Sequence, residues 1–182
     1  SEETAALQAR HADISIIGGP DPGKDSPRFA LTFKSLLLNS GRPVLLIPRG
    51  ARLSVPLRRA VVAWKPTGEA SRALHDALPL LANASEIDVL IVDPRVSEGQ
   101  HGQHPGGDIA VHLARHGLKV NVVSQPKAGL SLGGNVLQHV QDVGADLLVM
   151  GGYGHARWRE VVLGGATNSI LEGATRPVLF SH

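Results

Sequence analysis

The feature that most constrains this chain is an alternation. From residue 58 onward, short β-branched runs take turns with stretches whose apolar residues recur at helical spacing. Strand–helix–strand order of this kind builds a mainly parallel α/β sheet, because parallel neighbours need a crossover connection. Residues 60–64 (AVVAW) read as a first strand, and Ala70, Ala73, Leu74, Ala77, Leu78 and Leu81 then share one helix face. Residues 87–92 (IDVLIV) form a second strand, followed by a Gly/His/Pro-rich loop over 98–107. A helix is predicted over 108–116, with Asp108 at its positive end and Gly117 as its stop. Residues 119–123 give a third strand. Val136, Leu137, Val140 and Val143 mark a helix ended by Gly144, and 147–150 a fourth strand. A helix over 166–174 and a strand over 177–180 complete a five-stranded, doubly wound unit spanning 58–182.

The first 57 residues echo its end. Residues 12–19 (ADISIIGG) parallel 145–152 (ADLLVMGG) at an offset of 133, and the RPVL of 42–45 recurs at 176–179, one residue adrift. A helix over 2–11, a strand, a helix carrying Phe29, Ala30, Phe33, Leu36 and Leu37 on one side, and a strand over 44–47 fill the first copy. Residues 1–57 therefore read as the last part of one unit and 58–182 as a whole second unit. Two strands cannot bury both their faces alone, so 44–47 is expected to pair with 178–180, within the chain or across a dimer.

Composition removes several classes of function. With 182 residues the chain fits one domain plus a fragment, and with no cysteine it has no disulfide framework, thiolate metal site or cysteine nucleophile. A formal charge of +2 with 3% aromatic residues does not point to nucleic acid. No apolar run approaches the ~20 residues of a membrane span. The opening SEETAALQAR lacks the character of an export signal, which makes the cytoplasm the expected location.

The chemical signal follows the fourth strand: Met150, Gly151, Gly152, Tyr153 and Gly154, then after nine residues Gly164, Gly165, Ala166 and Thr167 at a helix start. Glycine at the end of a parallel strand lets a ligand approach the backbone, and a helix start favours an anion. Thr167 could add a hydroxyl donor. The same glycines could equally serve only tight turns and close helix–sheet packing.

Gly151-x2-Gly154-x9-Gly164 after ADLLVMGG, with Leu163–Thr167 and the closing Arg176-Pro177-Val178-Leu179, resembles the universal stress protein family. Residues 61–81 and 108–123 are similar to its first strand and helix and to its second helix and third strand, as in bacterial tandem members. The resemblance implies a five-stranded parallel sheet of the adenine nucleotide alpha hydrolase-like kind, self-association through the last strand, and a regulatory rather than enzymatic role. It further implies ATP or AMP, with Mg as an accompanying ion. Ala63, Trp64 and Lys65 would lie near adenine and ribose and Val92 beside the base. Met150, Gly151 and Gly154 would hold ribose and phosphate, and Gly164, Gly165, Ala166 and Thr167 the phosphates. Two positions depart from the pattern: Lys65 stands where ATP binders usually carry Asp, and Gly165 where a Ser or Thr is usual. A non-binding, dimerising module of the same fold is the alternative. The first copy, with Asp21 in place of the second motif glycine, reads as a partner without a site.

Other signals are weaker. Gly18, Gly23 and Lys24 approximate a P-loop, but Pro20 and Pro22 remove backbone donors and Asp25 replaces the hydroxyl residue. His112 and His116 share a helix face near His101 and His104, yet two ligands do not make a tight metal site, and exposed helix histidines explain them. No nucleophile elbow occurs. His155 and Glu160 read as loop residues, and Trp158 as an interface side chain.

Overall fold

The computed structural model describes residues 1–20, 26–94, 106–154 and 165–182. The elements run α1 (Glu2–Ala9), β1 (Ser15–Gly18), α2 (Ser26–Asn39), β2 (Val44–Ile47), β3 (Arg59–Ala63), α3 (Gly68–Leu81), β4 (Glu86–Val92), α4 (Gly107–Arg115), β5 (Val120–Gln125), α5 (Leu132–Asp142), β6 (Leu147–Gly151), α6 (Gly165–Gly173) and β7 (Val178–Ser181). Every expected strand and helix is present, with ends that match or shift by at most three residues. α1 stops at Ala9 rather than 11, and β1 starts at Ser15. Local chemistry sets several of these ends. Ser131 Oγ accepts from the Gly134 N–H at 3.0 Å to cap α5. Gly117 (φ 74°) and Gly144 (φ 61°) take the left-handed turn beyond α4 and α5, as their sequence positions foretold.

All seven strands join one sheet in the order β1-β2-β7-β6-β3-β4-β5. The five strands expected of the second unit lie side by side, and the two N-terminal strands extend the same sheet. β2 lies antiparallel to β7 inside the same chain, with Val44 opposite Phe180, Leu45 opposite Leu179 and Leu46 opposite Val178. Every other junction is parallel. The β7 edge is thus already occupied by the chain's own β2.

Side-chain alternation along the strands divides the core between two faces. On one face Ala60, Val62, Val89, Leu147, Val149 and Leu179 pack against Ala73, Leu74, Ala77 and Leu81 of α3 and Ile109 and Leu113 of α4. On the other, Val61, Leu148, Met150, Val178 and Phe180 pack against α2, α5 and α6 through Phe33, Leu36, Leu37, Val136, Val140 and Ile170. All the Phe and Tyr residues of the chain gather on this second face. Phe33 stacks on Phe29 (6.2 Å between ring centroids), meets Phe180 edge-on (5.0 Å) and faces Tyr153 (6.4 Å). The run 87–92 hides one polar group. Asp88 is buried, accepts from Asn121 Nδ2 at 3.3 Å and lies 3.1 Å from His139 Nε2, so that β4, β5 and α5 share a polar tie.

Candidate functional site

The strand order places a switch point between β3 and β6. The chain leaves β3 for α3 on one face of the sheet and leaves β6 for α6 on the other. A crevice outside the carboxyl ends of such strands is where open α/β sheets take ligands. The carboxyl end of β6 carries Gly151, Gly152, Tyr153 and Gly154, and the first turn of α3 approaches it.

The glycines are needed there, but for a contact inside the protein. A Cβ on Gly151 would stand 2.6 Å from Glu69 Cγ and 2.8 Å from the backbone nitrogen of Ala70. A Cβ on Gly154 would fall on the Glu69 carboxylate itself. Behind the loop, a Cβ on Gly152 would meet Leu37 Cδ2 at 2.6 Å, so α2 closes the other side. The hollow expected for a ligand is therefore lined, and partly filled, by the side chain of Glu69. That carboxylate sits in the first turn of α3, where the helix dipole favours negative charge. It makes no hydrogen bond or ion pair among the described residues.

Tyr153 turns inward between the glycines. Its φ of 59° is uncommon for a bulky residue, and its ring is 5% exposed against Phe33. The hydroxyl has no hydrogen-bond partner among the described residues, and burial pushes the phenol up to about 12. Its backbone N–H donates to Thr167 Oγ1 at 3.2 Å. Thr167 is buried in the first turn of α6, and its hydroxyl oxygen ties that turn to the glycine loop through this bond.

The remaining expected site residues divide by the faces of the sheet. Ala63, Val92 and Met150 pack into the cluster on the α2–α5–α6 face. Trp64 packs on the opposite face, against the cluster that includes α3. Lys65 is exposed two residues beyond β3, and Gly165 is the exposed first residue of α6. Ala166 is half-buried, and its carbonyl oxygen lies 2.9 Å from where a Cβ on Gly133 would stand, a close α5–α6 contact. Gly164 lies outside the described residues, as do Asp21, Gly23, Lys24, Asp25, His101, His104, His155, Trp158 and Glu160. Glu69 is the residue that sequence reasoning missed. An acidic residue in a first helical turn carries only a capping signal, and nothing local says which glycines it will touch.

A second cluster lies between α3 and α4. The ring centroids of His75 and His112 are 5.3 Å apart, and those of His112 and His116 4.9 Å. Burial first, then the neighbouring His116, His75 and Arg115, holds His112 below the ordinary imidazole range. Among the described residues, no three or more His, Asp or Glu side chains are placed to hold a metal. A cavity of about 50 Å³ lies elsewhere among the described residues. It opens between α5, the end of α6 and β7, lined in part by Leu137, Val140, Gly173 and Arg176. Its lining contains none of the glycine-loop residues.

No protein-family model matches the sequence, and none of the curated proteins does. Solved structures do match. A universal stress protein from Archaeoglobus fulgidus superposes with a TM-score of 0.71 at 17% identity, over 99% of this chain and 64% of that one. The chain thus spans less than two thirds of that protein's length. A putative universal stress protein from Pseudomonas aeruginosa gives 0.59 at 17% identity, over 100% of this chain and 68% of that one. A universal stress protein in complex with cAMP gives 0.51 at 18% identity, over 69% of this chain and 97% of that one. The seven-stranded, mostly parallel sheet described above, with helices on both faces, is the fold of the universal stress proteins.

Proposed function

We propose that this chain is a cytoplasmic, non-enzymatic regulatory protein of the universal stress type. It binds an adenine nucleotide, ATP or AMP, or the corresponding nucleoside, in the crevice between the carboxyl ends of β3 and β6. The observation that carries this reading is the glycine-bearing carboxyl end of β6 at the switch point, where Gly151 and Gly154 meet the first turn of α3. The fold supports it, since one protein of that fold is in complex with cAMP. Residues 1–57 serve in this reading as the end of a first unit without a site of its own, and β2 supplies the pairing that a last strand would otherwise seek in a partner.

Calorimetric titration with adenosine, AMP and ATP, with and without magnesium, tests the reading. Saturable micromolar binding that disappears in Gly154→Val supports it. A second reading, a non-binding module of the same fold, is favoured by the Glu69 carboxylate over Gly154. Absence of heat at millimolar ligand would establish that reading in place of the first.

A further inference from the structure

We infer that Glu69 sets the ligand class of this crevice: it selects a nucleoside with a free ribose diol and disfavours a bare phosphate. The inference rests on the nucleoside or nucleotide reading above and sharpens it.

Three observations meet at this side chain. Glu69 occupies the first turn of α3, a helix of 14 residues whose amino end approaches the glycine loop. That positive end is the place where an incoming phosphate would gain most, and the protein has put its own anion there. The carboxylate then rests directly on Gly154, with its stem over Gly151, the positions at which a ligand would touch bare backbone. Finally, Glu69 is only half-exposed, yet its carboxylate accepts no hydrogen bond and forms no ion pair among the described residues. A partly desolvated carboxylate with open acceptor sites is matched by a ligand that brings donors.

The consequence is a polarity opposite to that of a phosphate cradle. A phosphate at Gly154 would meet a like charge in a place of reduced dielectric. A vicinal diol would instead donate two hydrogen bonds to one carboxylate, the pairing acidic residues make with ribose in dinucleotide sites.

Titration of the full chain with adenosine, 2′-deoxyadenosine, AMP and ATP with and without magnesium, repeated on Glu69→Gln, tests the assignment. Wild-type protein is expected to bind adenosine at least tenfold more tightly than AMP, ATP or 2′-deoxyadenosine. In Glu69→Gln, AMP should gain about tenfold and adenosine lose a comparable factor, so that the preference vanishes. Glu69→Asp, which keeps the charge but withdraws it by one methylene, should retain the rejection of AMP. Melting curves of both variants verify that they are folded. AMP or ATP binding to wild type as tightly as adenosine, or an unchanged ratio in Glu69→Gln, overturns the role of Glu69 and leaves the nucleotide site standing. No binding of any of these ligands to wild type or to Glu69→Gln removes the site and this inference together.

Discussion

The segments around β1 and β6 begin from nearly the same letters, ADISIIGG and ADLLVMGG, and end in different physical situations. β6 lies between β3 and β7, and its first four residues are buried. β1 is an edge strand paired on one side only, and its burial merely alternates. Val149 is wholly buried, whereas Ile16, the matching position, is 68% exposed. The glycines differ likewise. Gly151 is pressed against the backbone of α3, while Gly18 has nothing within 4 Å of where a Cβ would stand. Equal sequence thus acquires unequal energetic weight from its neighbours in the sheet.

Paired substitutions can break or sharpen this contrast. The largest difference is expected for Val149→Ala against Ile16→Ala. The first removes methyls from a closed core and should cost about 2–3 kcal/mol in denaturant unfolding, the second less than about 0.5 kcal/mol. Equal costs would mean that β1 is as well covered as β6. Gly151→Ala should follow at about 1–3 kcal/mol, because its Cβ would meet backbone atoms of α3 that cannot swing aside. Gly18→Ala should stay within about 0.5 kcal/mol of wild type.

Next come the aspartates that precede the two strands. Asp146 accepts from the Arg58 N–H at 2.8 Å, from Arg58 Nη2 at 2.9 Å and from the Arg59 N–H at 3.3 Å. Burial alone would raise its carboxyl, but these bonds outweigh burial and hold it below the ordinary range. A carboxyl lowered in the folded state stabilises above its unfolded pKa, and that contribution is lost as the pH falls through the folded value. Asp146→Asn should therefore cost about 1 kcal/mol at neutral pH. Its gap from wild type should close in acid below about pH 4. Asp13, the matching exposed residue, has no such partners among the described residues, and Asp13→Asn should stay within about 0.5 kcal/mol of wild type at neutral pH. The smallest effect belongs to Tyr153→Phe. Removing a buried hydroxyl without a partner should leave the melting temperature unchanged or raise it by the equivalent of up to about 1 kcal/mol. A clear loss would reveal a partner for that hydroxyl.

Much of the fold was legible because its cues are local. The β-branched runs, the apolar helix faces and the glycines at 117 and 144 each act within a few residues of themselves. The pairing of 44–47 with 178–180 was anticipated from burial, since a two-stranded piece must cover its apolar residues somewhere. The site was legible only in outline. The glycines after β6 marked a place of close approach, but what approaches is Glu69, brought there by the folding of α3 across the sheet. Thr167 was placed in the right turn, but position in a helix does not reveal that its hydroxyl accepts from the Tyr153 N–H. Ala63 and Trp64, neighbours in sequence, pack on opposite faces of the sheet, as strand alternation requires.

The sequence by itself determined the elements, their parallel character and the position of the glycine-bearing rim, since periodicity and end signals follow from backbone geometry alone. Only the tertiary structure decided which of two nearly identical strands is sealed into the sheet and which lies at its edge. It also decided that a carboxylate rests on the glycines at the rim. Both depend on contacts between residues far apart in the chain, whose closeness is fixed by strand order and the burial of apolar faces.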